Sequence, residues 1–131
     1  MKFLIAYSSR TGNTKKIAEA LAKAAPKGSL LAKVEDKPNT EEYDVIFAGY
    51  WLDRGGPDSN AKEFLQSLKG KRIVLFETMG ASPTSEHALT AFANAGASLS
   101  DDNSVIGAIA FQGAIDPALI VMMKKMPAGS P

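Results

Sequence analysis

The chain has no cysteine, one histidine and one tryptophan. Without cysteine there is no disulfide framework, no thiolate metal site and no cysteine nucleophile, and a reducing compartment suits such a sequence. The lone His87 has no second ligand beside it, which argues against a metal site. Charge of one sign is also lacking. Fifteen basic residues face 14 acidic ones, a formal net charge of +1, so no strong field draws the chain to nucleic acid or to a membrane. Long apolar runs are missing too: Phe3-Leu4-Ile5-Ala6 is too short for a signal peptide, and no later run reaches the length of a membrane span. These absences lead to the expectation of a cytoplasmic protein with no metal, nucleic-acid or membrane partner.

What is present reads as one ordinary globular domain over residues 1–131, with 45% hydrophobic and 22% charged residues and enough chain to bury its own core. Phe3–Ala6 is a continuous apolar run, as in a strand covered on both faces. Lys15–Ala25 sets Ile17, Ala18, Leu21, Ala22 and Ala25 on one helical stripe, ended by Pro26 and Gly28. Leu30–Val34 is a weaker strand, flanked by charge and suited to a sheet edge. Tyr43–Tyr50 and Arg72–Phe76 are further buried runs. Asn60–Leu68 and Glu86–Ala95 carry helical stripes, with Gly96 as the expected C-cap of the second. Val105–Phe111 makes the last strand, and Asp116-Pro117 opens a helix through Met126. Five strands alternating with four helices, joined by short right-handed crossovers, give an α/β doubly wound parallel sheet. Its ligands belong at the carboxyl ends of the strands, which singles out the loops at 8–14, 50–59, 77–85 and 112–116.

The first of these loops is dense in donors. Residues 8–14 read SSRTGNT and pass from a buried strand into a helix, whose N-terminus offers backbone N–H groups and partial positive charge. Ser9, Thr11, Asn13 and Thr14 add side-chain donors, and Gly12 allows close backbone approach. A phosphate fits such a place, since charge-assisted hydrogen bonds contribute about 1.5–3 kcal/mol each. The competing reading is a polar turn in which Thr11 or Asn13 only caps the helix. Other phosphate loops do not match. A Walker loop needs Gly-Lys-Ser/Thr, whereas Asn13 follows Gly12, and the dinucleotide fingerprint needs three glycines where this loop has one.

Ser9-Arg10-Thr11-Gly12-Asn13-Thr14 resembles the Ser/Thr-x-Thr-Gly-x-Thr loop with which flavodoxins hold the phosphate of FMN. The element order agrees along the whole chain, and GYWLDRGG, ETMGASPTSEHA and QGAIDP are similar to a small-flavodoxin branch of anaerobic bacteria. Some members of that branch accompany reductases of organic substrates such as bile pigments, and its chains run further past Met126-Pro127. The resemblance implies a five-stranded flavodoxin-like sheet of order 2-1-3-4-5 with helices on both faces. Flavodoxin is itself the standing example of that order, with FMN at the switch point, so the order rests on the resemblance. Arg10 joins the phosphate loop on the same ground.

The resemblance also places the flavin ring between the loops after the third and fourth long strands. Trp51, flanked by Tyr50 and Leu52, is then a ring contact, against a reading as core packing. Asp53-Arg54-Gly55-Gly56-Pro57 is a sharp turn, in which Gly55 is the candidate for the peptide that answers flavin reduction. Thr78, Met79, Gly80 and Ala81 face the pyrimidine edge through backbone N–H groups, Ser82 stands at the rim, and Gln112 and Gly113 form a third wall. Two features depart from the family: the loop at 77–85 has no aromatic residue, and the chain is nearly neutral where electron-shuttle flavodoxins are acidic. The expected function is a non-catalytic FMN electron carrier serving a partner reductase. The alternative is an FMN enzyme reducing a quinone or similar acceptor with a nicotinamide donor. Against it stand the missing nicotinamide fingerprint and the little bulk that Gly55 and Gly56 leave for a substrate pocket. A module holding only a phosphate is the third reading.

Overall fold

Strand β1 (Phe3–Tyr7) is buried along its whole length, the result expected of an apolar run covered on both faces. It is an interior strand of a parallel sheet, paired on both sides, in the computed structural model, which describes residues 2–9, 12–53, 56–79 and 86–112. The other strands are β2 (Leu30–Lys33), β3 (Val45–Asp53), β4 (Gly56–Pro57), β5 (Arg72–Met79) and β6 (Ser104–Gln112). The helices are α1 (Asn13–Ala24), α2 (Ser59–Ser67) and α3 (Glu86–Ala97). The parallel order is β2-β1-β3-β5-β6, with the two-residue β4 paired antiparallel to the end of β3. Counted over the five long strands this is the order 2-1-3-4-5, and β2 takes the edge.

Alternation along the strands divides the core. Leu4, Ala6, Ile46, Ala48, Tyr50, Ile73 and Leu75 pack with Ala61, Phe64 and Leu65 of α2 and Ala95 of α3. Their neighbours Phe3, Ile5, Val45, Phe47, Val74 and Phe76 pack with Ile17, Ala18 and Leu21 of α1. Helices therefore cover both faces. Gly49 is fixed by this packing: a Cβ there would come within 2.1 Å of the Phe76 ring, so the ring lies on bare backbone.

The structure corrects several sequence-based boundaries. β3 runs on to Asp53 and β5 to Met79, so Trp51, Leu52, Asp53, Thr78 and Met79 are strand residues where loops were expected. The ladder carries them: Trp51 is registered with Thr78, and β4 pairs Leu52 with Pro57 and Asp53 with Gly56. Helix α1 starts two residues earlier than its apolar stripe, at Asn13. Gly96 lies inside α3 and is not a cap; the helix closes with the N–H groups of Ser98 and Leu99 donating to the carbonyls of Ala95 and Gly96. The helix expected from Pro117 to Met126 lies outside the described residues.

Candidate functional site

The carboxyl ends of β1, β3 and β5 meet the first turns of α1 and α2, and the two helices begin in opposite ways. Helix α2 is capped by its own chain. Asp58, at 3% exposure, accepts the Ala61 N–H on Oδ2 at 3.3 Å and the Ser8 hydroxyl on the same oxygen at 2.5 Å. Ser8, buried at the exit of β1, also donates its N–H to the Gly49 carbonyl at 2.9 Å. These bonds tie β1, β3 and the head of α2 into one rigid corner.

Helix α1 lacks all of this. Its N-cap is Gly12, at φ +94° in the left-handed region; among the described residues no side chain caps it, and no acidic residue occupies its first turn. A Cβ at Gly12 would meet nothing within 4 Å, so the backbone conformation and not crowding demands glycine. The Gly12 N–H donates to the Ser9 hydroxyl at 3.0 Å. Lys15 and Lys16 follow, both exposed. An ordinary helix start takes a Ser, Thr, Asn or Asp cap with acids in the first turn. This one keeps its positive end uncapped and adds cations, a donor set that fits a phosphate.

Thr14 differs from its expected role. It is 1% exposed, and its hydroxyl shares a 2.8 Å hydrogen bond with that of Thr78, so it fastens the first turn of α1 to the end of β5. Tyr50 differs as well. It is fully buried, packs with the α2–α3 core and donates its hydroxyl to Glu77 Oε1 at 2.6 Å. Core position leaves it no surface for a ring. Trp51, the next residue, is half-buried on the opposite side of the strand, and its carbonyl accepts the Asp58 N–H at 3.3 Å.

Of the other expected site residues, Arg10, Thr11, Gly55, Gly80, Ala81, Ser82 and Gly113 lie outside the described residues, as do the side chains of Leu52, Asp53, Met79 and Gln112. The structure brings Ser9, Gly12, Asn13 and Thr14 together with Trp51 and Thr78 at one end of the sheet.

Sequence reasoning missed Glu77. It stands wholly buried in β5, with Oε1 bonded to Tyr50 and Oε2 without a hydrogen-bond partner among the described residues. Burial pushes its carboxyl from the ordinary 4.5 up to about 7, with the Tyr50 bond pulling the other way. Burial, and then the nearby Glu77 charge, lift the Tyr50 phenol far above its usual range. The signal was a single acid directly after the apolar run IVLF in β5, RIVLFETM. Asp58 was missed too, although Asp-Ser-Asn before a helical stripe is a capping pattern.

The flavodoxin domain family matches residues 4–131. A flavodoxin-like domain-containing protein BilS from Clostridioides difficile (strain CD3) is 36% identical over 130 residues, which cover 96% of this chain and 74% of that protein. Among solved structures, a flavoprotein in complex with FMN from Lactobacillus acidophilus superposes with a TM-score of 0.71 at 19% identity, over 96% of this chain and 98% of that one. Oxidised flavodoxin 1 from Bacillus cereus gives 0.69 at 17% identity, over 98% and 95%. At these identities the structural likeness shows the fold alone. Among the described residues, no helix is long and apolar enough to cross a membrane.

Proposed function

The chain belongs to the flavodoxin domain family, and from that premise we propose that it binds FMN and carries electrons to or from a partner reductase. The observation that carries the reading is the start of α1: a left-handed glycine in place of a capping side chain, no acid in the first turn, and two lysines where the helix dipole disfavours them. Such a helix end is stabilised by a bound anion. The terminal phosphate of FMN is a dianion of the right size for one helix end.

In this reading Ser9, Gly12 and Asn13 hold the phosphate, together with Arg10 and Thr11. The Thr14–Thr78 bond keeps the phosphate helix in fixed relation to β5, so the two halves of the site do not drift apart. Trp51 gives the ring an aromatic surface, backed by the corner that Ser8 and Asp58 lock. When bound, the flavin supplies the reversible acceptance of electrons. The chain holds, orients and shields it.

Titrating the full chain with FMN and with riboflavin tests this. FMN should bind one per chain and much more tightly. Thr11→Ala with Asn13→Ala should weaken FMN by about tenfold to a hundredfold per lost bond and leave riboflavin nearly unchanged. Equal losses for both ligands would mean that the loop does not hold the phosphate.

A further inference from the structure

Glu77 is not explained by packing. A carboxyl buried at 0% exposure, with one oxygen unpartnered among the described residues, sits in a strand whose neighbours on the same face are Leu75 and Ile73. An apolar side chain of similar size would be more stable there, since an uncompensated buried charge is costly. Its position points to a use. Tyr50–Glu77 and Trp51–Thr78 are consecutive registered pairs of β3 and β5, and Thr78 is bonded to Thr14 in the first turn of the phosphate helix. Glu77 therefore lies one residue from the wall of the proposed FMN site, on the dry face of the same two strands.

We propose that Glu77 is the proton-storing group of this site: its carboxylate takes one proton from water at Oε2 when negative charge arrives on the bound ring, and returns it when that charge leaves. The inference rests on the FMN reading above. The electron comes from a one-electron donor and stays on the flavin; the proton comes from solvent, forms the O–H bond at Oε2 and neutralises the carboxylate. Oε2 is the atom that accepts it, because Tyr50 already donates to Oε1 and Oε2 has no hydrogen-bond partner among the described residues. The buried carboxyl titrates close to neutrality, so a modest change in nearby charge switches its state. A unit negative charge on the order of 10 Å away through protein raises such a group by about one pH unit.

The elements on this face carry few other titratable groups. Beside Tyr50 on β3 there are Asp58, Lys62 and Glu63 at the head of α2, and Glu86 and His87 in the first turn of α3, the last two with side chains outside the described residues. β6 places Ala110 opposite Glu77. Among the described residues only Tyr50 hydrogen-bonds to Glu77.

The test reduces the FMN-loaded full chain with dithionite at a series of pH values around neutrality. It follows the infrared band of the protonated carboxyl and the proton uptake in weakly buffered solution. On reduction the band should grow and the uptake should exceed that of Glu77→Gln, which lacks both the band and the extra proton. Tyr50→Phe removes the bond that favours the carboxylate and should move the pH of half-uptake upward, which keeps the idea open to refutation if Glu77→Gln does not fold. Identical bands and uptake in the native chain and Glu77→Gln, or no movement in Tyr50→Phe, would overturn it. A chain that takes up no FMN, visible in its absorption spectrum before any reduction, sinks the flavin reading and this inference together. A chain that binds and reduces FMN with a silent Glu77 sinks this inference alone.

Discussion

Glu77 links the stability of the fold to pH, with a definite sign. Its carboxyl is raised from 4.5 to about 7, so between those values the folded chain keeps a proton that the unfolded chain has lost. Its contribution to stability is then greatest below 4.5 and is lost as pH rises through the folded value. The shift sets a ceiling of about 3 kcal/mol on the loss. Urea unfolding at a series of pH values should show this decline, and Glu77→Gln should flatten it; parallel profiles would mean that the carboxyl is not held in its neutral form. Gly49 makes a second, purely steric point. With a Cβ placed 2.1 Å from the Phe76 ring, Gly49→Ala should cost about 1–3 kcal/mol by overpacking. Adding Phe76→Leu should recover part of that loss in a double-mutant cycle, whereas simple additivity would show that the ring is not what the methyl meets.

At the scale of elements, the contrast between two helix starts does most of the explaining. Asp58 caps α2 and also receives the Ser8 hydroxyl, so Asp58→Ala loses a cap and leaves a buried hydroxyl without its partner. A loss of about 1–3 kcal/mol is expected in chemical denaturation, with Asp58→Asn recovering most of it. Gly12→Ala acts on α1 by another route: at φ +94° an L side chain is strained by about 1–2 kcal/mol, and the same change should weaken FMN. A variant that kept both stability and FMN affinity would show that the turn tolerates a side chain. The strands were readable from sequence because Phe3–Ala6, Tyr43–Tyr50 and Arg72–Phe76 lie between helical layers, and burial on both faces leaves a continuous apolar trace. Their ends were not readable. Trp51, Leu52, Asp53, Thr78 and Met79 stay in the ladder through register with one another and with β4, and cross-strand pairing of that kind leaves no local pattern. For the same reason the Tyr50–Glu77 pair was invisible: two residues 27 apart in sequence meet only once the register of β3 and β5 is known. The loop proposed to hold the phosphate stood out in the sequence because its candidate donors are contiguous.

Charge belongs to the whole molecule. Fifteen basic residues against 14 acidic ones leave no acidic field like that of the electron-shuttle flavodoxins. At the site end of the sheet, the exposed Lys15 and Lys16 sit on α1, while Asp58 and Glu77 are buried. A reduced flavin carrying negative charge is destabilised by nearby carboxylates and stabilised by cations. At an effective dielectric of ~20, a charge about 8 Å away contributes on the order of 2 kcal/mol. Exposed lysines contribute less than that, because salt screens them over a Debye length of about 10 Å at 0.1 M. The bound flavin is therefore expected to accept electrons at a less negative potential than in an acidic shuttle. Reversing both charges with Lys15→Glu and Lys16→Glu should make the potential more negative at low ionic strength. Raising the salt to about 1 M, where the Debye length falls to about 3 Å, should bring variant and native chain back together. Spectroelectrochemical titration at the two ionic strengths measures both effects. If the variant matches the native potential at low salt, the cations at the head of α1 act on the phosphate alone, and the neutral surface does not set the potential.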